Sequence, residues 1–120
     1  MEGTTLVIGA SLKRERYSNK AIYKLRENEI SVVGIGLRIG KVYDVEIIKE
    51  KRIFTNIDTV TLYLNPKKQE EYYQYIIDLK PNRVIFNPGT ENTNFIDLLN
   101  KNAVKTEVAC TLVLLAMKQY

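Results

Sequence analysis

The sequence contains no histidine and only one cysteine in 120 residues. Without histidine the chain has no imidazole for acid–base catalysis, phosphohistidine chemistry or metal ligation. A single cysteine forms no internal disulfide and, with no histidine beside it, no structural zinc site, so we expect a cytoplasmic protein. The phosphate-loop pattern G-x-x-x-x-G-K-[ST] is also absent, which leaves ATP hydrolysis of that kind unsupported.

Long apolar runs are missing as well. The stretch Leu112 to Met117 is too short to cross a membrane and is more typical of a core helix. The N-terminus lacks the charged, then apolar pattern of a secretory signal. The length and the 45% apolar, 27% charged composition predict one soluble domain over residues 1–120.

The basic residues are spread along the chain. The formal net charge is +4, but the basic residues mostly alternate with acidic ones, as in Lys49-Glu50-Lys51-Arg52. No helix shows a basic stripe interleaved with aromatic residues, so binding to nucleic acid is disfavoured. A local pocket for an anion explains the excess charge equally well.

Apolar strands are expected to alternate with helices along the whole chain. The predicted strands are 6–8, 30–35, 45–48, 58–64, 83–86 and 105–108, with a turn at 40–44. Helices are expected after Ser18, from Pro66, after Thr90, and from Thr111 to near Tyr120. Near-continuous apolar strands between helices predict an α/β, Rossmann-like three-layer sandwich with a parallel sheet of five or six strands.

The first strand leads into the most informative loop. The run Leu6-Val7-Ile8 stops at Gly9, and the loop from Ser11 to Tyr17 then carries Lys13, Arg14 and Arg16. Basic residues beside a helix N-terminus repel the helix dipole unless an anion joins them, so we expect an anion site. The full G-x-G-x-x-G pattern is absent, and a tight turn followed by a solvated basic loop is the alternative.

The end of the second predicted strand bears on the choice of nucleotide. An NAD site would place Asp or Glu there to bind the ribose 2′-hydroxyl, whereas this chain has Gly36-Leu37-Arg38. The arginine favours NADP or a 3′-phosphorylated nucleotide over NAD.

Five segments together resemble the small stand-alone coenzyme-A-binding proteins, which are similar to the nucleotide-binding domain of the succinyl-CoA synthetase α-subunit. They are Val7-Ile8-Gly9-Ala10-Ser11, Arg16-Tyr17-Ser18-Asn19-Lys20, Thr59 to Pro66, Phe86 to Asn92, and Glu107 to Val113. The resemblance covers about Thr5 to Tyr120 and implies a Rossmann-like fold that binds CoA or an acyl-CoA.

The resemblance also assigns binding residues. It places the ADP part of CoA against the first loop and Arg38, and the pantetheine arm beside two further strand ends. The loop residues are Gly9, Ala10, Ser11, Lys13, Arg14, Arg16, Tyr17, Ser18, Asn19 and Lys20; the strand-end residues are Asn65, Pro66, Asn87, Pro88 and Gly89. For the strand ends a purely structural role is an equal alternative, because Asn-Pro starts a helix and Pro-Gly makes a turn.

Three classes of function follow. The leading one is a non-catalytic CoA-binding module, a carrier, sensor or regulatory partner, for which we expect a small-molecule nucleotide ligand and, as open alternatives, a homodimer or an unidentified protein partner. The second is an NADP-type oxidoreductase or a subunit of an acyl-CoA ligase, with a partner supplying the histidine chemistry. The third is a nucleic-acid or protein-interaction role. Cys110 is expected to be a small core residue, with redox exchange with the CoA thiol as the alternative.

Overall fold

The computed structural model describes residues 3–120 and contains seven strands and five α-helices in that range. The strands are β1 (Thr4–Ala10), β2 (Val32–Gly36), β3 (Gly40–Val42), β4 (Val45–Ile48), β5 (Ile57–Leu62), β6 (Arg83–Phe86) and β7 (Lys105–Val108). The helices are α1 (Tyr17–Glu27), α2 (Pro66–Gln69), α3 (Tyr73–Leu79), α4 (Thr93–Lys101) and α5 (Thr111–Ala116), with a 3₁₀ turn (Glu70–Tyr72) between α2 and α3.

All seven strands form one sheet in the order β3-β4-β2-β1-β5-β6-β7. Six of them run parallel, and Leu6 at the centre of β1 lies between Val33 of β2 and Val60 of β5. The chain leaves β1 toward β2 and later returns to the other side of β1 at β5. The strand order therefore reverses beside β1, which is the place where open α/β sheets bind ligands.

The two faces of the sheet carry separate apolar clusters. Leu6 and Ile8 of β1 belong to the cluster that includes Phe86 and Phe95, whereas Val7 belongs to the cluster packed on α1 and the C-terminal segment. Each fully buried aliphatic side chain of this kind contributes roughly 1.5–3 kcal/mol. A parallel sheet covered on both faces confirms the predicted Rossmann-like three-layer sandwich.

The strand count exceeds the prediction by one short element. The predicted turn at 40–44 was wrong for residues 40–42, which form β3 and pair antiparallel with β4; only residues 43–44 turn the chain, with Tyr43 at φ 57°. A three-residue strand is too short to show an alternating pattern, although Val42 is buried in it.

Two helix boundaries also differ from the prediction. Helix α1 begins at Tyr17 with Arg16 in the N-cap position, and the predicted cap Ser18 lies inside the helix. Helix α5 ends at Ala116 rather than near Tyr120, because the last residues turn away through Lys118 at φ 56°. Within residues 3–120 no helix has both the length and the apolar character needed to cross a membrane.

Candidate functional site

The carboxyl end of β1 is shaped by a glycine. Gly9 has φ 91° and lies at a register shift between Ile8 and Ala10. A Cβ atom there would be 2.9 Å from the carbonyl carbon of Tyr63 and 3.1 Å from Leu64 Cδ2. Glycine therefore permits both the left-handed backbone and the close approach of the β5 end to the β1 end. A larger residue would disturb the fold as well as any ligand.

A cavity of about 360 Å³ lies at the carboxyl ends of β1, β2 and β5. Six of the predicted site residues line it, namely Gly9, Ala10, Ser11, Lys13, Arg16 and Arg38. Eight further residues complete its walls, namely Leu12, Ile35, Gly36, Leu37, Tyr63, Leu64, Lys68 and Tyr72. The structure thus brings the first loop and Arg38 together at the strand-order reversal.

The walls of this cavity carry charge of one sign. Lys13, Arg16, Arg38 and Lys68 all line it, and its lining residues include no aspartate or glutamate. Within residues 3–120, these four side chains form no ion pair and no hydrogen bond. We call it the cationic cavity. Four cations gathered without a counter-charge favour binding of an anion.

Arg16 also marks the start of α1 at this cavity. As the N-cap residue it makes no side-chain capping bond, and the first turn of α1 contains no acidic residue. The positive end of an eleven-residue helix therefore adds to the charge of the side chains.

Three of the predicted loop residues point elsewhere. The Arg14 guanidinium lies 4.4 Å from the ring centroid of Tyr23, and Lys20 Nζ lies 5.5 Å from that of Tyr17. Tyr17 is 69% exposed. None of the three lines the cationic cavity, and Arg14 differs from its neighbour Arg16 in this respect.

Two other predicted residues hold the loop in place. Ser18 and Asn19 are buried. The backbone N–H of Ser11 donates to Ser18 Oγ at 3.1 Å, and Asn19 Nδ2 donates to the Ser11 carbonyl oxygen at 2.9 Å. Asn19 Oδ1 is buried and has no partner among residues 3–120.

The predicted strand-end residues do not line the cationic cavity. Asn65 caps α2, its Oδ1 accepting from the N–H of Lys68 at 3.0 Å, and Pro66 is the first residue of that helix. Asn87 is 2% exposed; its Nδ2 donates to Thr61 Oγ1 and the Leu62 carbonyl, and its Oδ1 accepts from the N–H of Thr111. Pro88 and Gly89 form an exposed turn.

Among the cavity residues that sequence reasoning missed, Lys68 and Tyr72 belong to the segment after β5. The available signal was the basic pair Lys67-Lys68 directly after the predicted strand end Asn65-Pro66. Tyr63 directly follows the last residue of β5. Burial raises the pKa of its hydroxyl to about 12, an effect that the nearby hydroxyls of Thr111 and Thr61 only partly offset.

Two other features are unlike the cationic cavity. A hollow of about 490 Å³ between α1 and α5 has a mainly apolar floor of Leu112, Leu115 and Ala116. Cys110 is a free, half-buried thiol in the N-cap position of α5. Among the described residues no three His, Cys, Asp or Glu side chains are grouped so as to hold a metal ion.

A comparison with protein-family models finds one match over residues 3–116, to a model described as a CoA binding domain. The chain belongs to the CoA-binding domain family. A member of this family takes a small-molecule ligand. No match was found among curated protein sequences.

Solved structures share the architecture of this CoA-binding domain. A crystal structure of an uncharacterized protein is 38% identical, covers 100% of this chain and 99% of its own, and has a TM-score of 0.96. The PH1109 protein redesigned for binding is 21% identical over 98% of this chain and 84% of its own, with a TM-score of 0.86. A hypothetical protein from Pyrococcus horikoshii OT3 is 21% identical over 94% and 82%, with a TM-score of 0.82.

Proposed function

We propose that this protein binds coenzyme A or an acyl-CoA in the cationic cavity and acts as a non-catalytic binding or regulatory module. The observation that carries the proposal is the convergence of Lys13, Arg16 and Arg38 at the strand-order reversal of a CoA-binding domain. Gly9, Ala10 and Ser11 would form the floor under the ADP part of the ligand.

The charge of the cavity supports a ligand with several phosphates. Each short contact between a cation and a phosphate oxygen is worth about 1.5–3 kcal/mol. CoA carries a diphosphate and a 3′-phosphate, so it offers an anion both to Lys13 and Arg16 and to Arg38. In this proposal Arg38, at the end of β2, holds the 3′-phosphate.

NADP is the competing ligand, because its 2′-phosphate would also suit an arginine after β2. NAD and dephospho-CoA lack the additional phosphate. Comparing the affinities of CoA, dephospho-CoA, NADP and NAD therefore distinguishes a contact of Arg38 with the additional phosphate from general nucleotide binding. Tighter binding of NADP than of CoA would instead favour an NADP-dependent oxidoreductase.

The test uses a matched pair of arginines in one loop. Arg16 lines the cationic cavity, whereas Arg14 packs on Tyr23 and does not. By calorimetry, Arg16→Ala is expected to bind CoA roughly 10- to 150-fold more weakly than the wild type, and Arg14→Ala to bind it unchanged.

The wild type should also bind CoA more tightly than dephospho-CoA, and Arg38→Ala should remove that preference. Equal affinity of the wild type for CoA and dephospho-CoA would eliminate the 3′-phosphate contact. Tight binding of a short DNA duplex that falls steeply with salt would replace the proposal with a nucleic-acid role.

A further inference from the structure

Lys68 and Arg38 line the cationic cavity from the ends of two different strands. Strands β2 and β5 flank β1 on its two sides, so the segments after them meet over the end of β1. Arg38 follows β2, Lys68 follows β5, and both line the same cavity. Adjacent strands are about 4.8 Å apart, and a lysine stem of four carbons is long enough to extend over the neighbouring strand end.

The backbone on either side of Lys68 is fixed. Asn65 Oδ1 accepts from the Lys68 N–H, and the next residue, Gln69, is fully buried. Gln69 Nε2 donates to the carbonyl oxygens of Leu64 and Thr90, both at 2.8 Å, and its Oε1 accepts from Asn92. Lys68 is therefore carried on a rigid turn, which reduces the conformational entropy that a ligand contact would cost.

The Lys68 side chain is exposed and has no ionic partner within residues 3–120, unlike the neighbouring Lys51. Lys51 Nζ lies 3.4 Å from Glu71 and 4.9 Å from the ring centroid of Tyr72, so Glu71 is already paired with a lysine other than Lys68. Lys68 thus adds an uncompensated charge to a cavity that holds three others. An anion relieves this mutual repulsion.

We propose that Lys68 binds the diphosphate of the ligand, from the β5 end of the cavity; this rests on the proposed CoA-binding function. The diphosphate is the group concerned because Rossmann-like sites hold it at the end of the first strand and the start of the first helix. That position lies between the β2 and β5 ends, where Arg16 and Lys68 approach it from different elements.

The experiment compares two adjacent lysines. Lys67 is also exposed, but it does not line the cavity. Lys68→Ala is expected to bind CoA and dephospho-CoA about 10-fold more weakly, by the same factor for both ligands, with Lys67→Ala unchanged. Lys68→Arg should restore most of the affinity, and thermal melting should show all three variants folded, because Asn65 caps the backbone rather than the side chain.

Four outcomes would overturn the inference. Unchanged CoA affinity in Lys68→Ala, beside a loss in Arg16→Ala, rejects the role of Lys68 and leaves the proposed function standing. A loss for CoA but not for dephospho-CoA, or an equal loss in Lys67→Ala, rejects the diphosphate contact. A wild type that does not bind CoA rejects the proposed function and this inference together.

Discussion

Two regions at the same edge of the sheet differ in whether their polar side chains have partners within the protein. In the cationic cavity, Lys13, Arg16, Arg38 and Lys68 have no partner among residues 3–120. Beyond the β5 and β6 ends, Gln69, Asn87, Thr90 and Asn92 form what we call the buried amide network. In it, Asn92 donates to Gln69, Gln69 to the Thr90 carbonyl, and Thr90 Oγ1 to the Asn87 carbonyl.

This difference shows why polar residues at strand ends are an ambiguous signal. A buried amide must have its hydrogen bonds satisfied, and the network satisfies them within the protein. Its members hold the loops after β5 and β6 in place and leave few groups free for a ligand. The exposed cations of the cavity lack this internal compensation, and it is this lack of partners that supports a binding site.

The largest expected effect tests the buried amide network. Asn87→Ala removes bonds to Thr61, to Leu62 and from the N–H of the fully buried Thr111, and leaves that N–H without a partner. We expect a loss of about 3 kcal/mol in unfolding free energy, or roughly 10 °C in Tm, measured by urea and thermal denaturation.

If the two regions are as distinct as the structure indicates, folded Asn87→Ala should still bind CoA with nearly wild-type affinity. The exposed Asn94 has no such bonds and provides the control, since Asn94→Ala should change stability by less than about 0.5 kcal/mol. A large loss of CoA affinity with little loss of stability would instead place Asn87 at the ligand.

A second expected effect, of intermediate size, is alkaline destabilisation. Burial raises the pKa of Tyr63 and of Tyr75 to about 12, from the ordinary value of 10. The folded protein keeps these protons while the unfolded chain releases them, so their stabilising contribution is full below pH 10 and is lost between pH 10 and 12. The slope is roughly 1 kcal/mol per pH unit for each group.

Urea denaturation at pH 9, 10 and 11 measures this slope. Tyr63→Phe and Tyr75→Phe should each flatten it, and Tyr17→Phe, at an exposed ring, serves as the control. A wild-type stability that is constant over this range would contradict the assignment of both buried hydroxyls.

The smallest expected effect compares the same two hydroxyls at neutral pH. The Tyr75 hydroxyl donates to the Arg52 carbonyl at 2.6 Å, whereas the buried Tyr63 hydroxyl has no partner of good geometry among residues 3–120. Tyr75→Phe should therefore cost about 1 kcal/mol, and Tyr63→Phe close to nothing. Equal losses of unfolding free energy in the two variants, measured by denaturation at pH 7, would show that the Tyr63 hydroxyl also has a hydrogen-bond partner.

Sequence reasoning was most successful where the signal is local. The apolar runs of β1, β2 and β5 and the break at Gly9 identified the parallel sheet and its first loop, because buried parallel strands require continuous apolar sequence. Strand β3 was not predicted because three residues are too few to show an alternation of apolar and polar side chains. The N-cap of α1 was predicted at Ser18, but Arg16 occupies that position. Serine is a common N-cap residue, whereas here the Ser18 hydroxyl accepts a hydrogen bond from the N–H of Ser11, a contact that the local sequence does not reveal.

The sequence by itself determined the fold class, the exclusion of histidine chemistry and of an internal disulfide, and a basic loop at the end of the first strand. Only the tertiary structure decided which basic residues share a cavity. Arg14 and Arg16 are two positions apart, yet one packs on Tyr23 and the other lines the cavity, while Lys68 joins from 52 positions away along the chain. The physical reason is the crossover topology: it places the ends of β2 and β5 on either side of β1, and no local pattern records which side chains meet there.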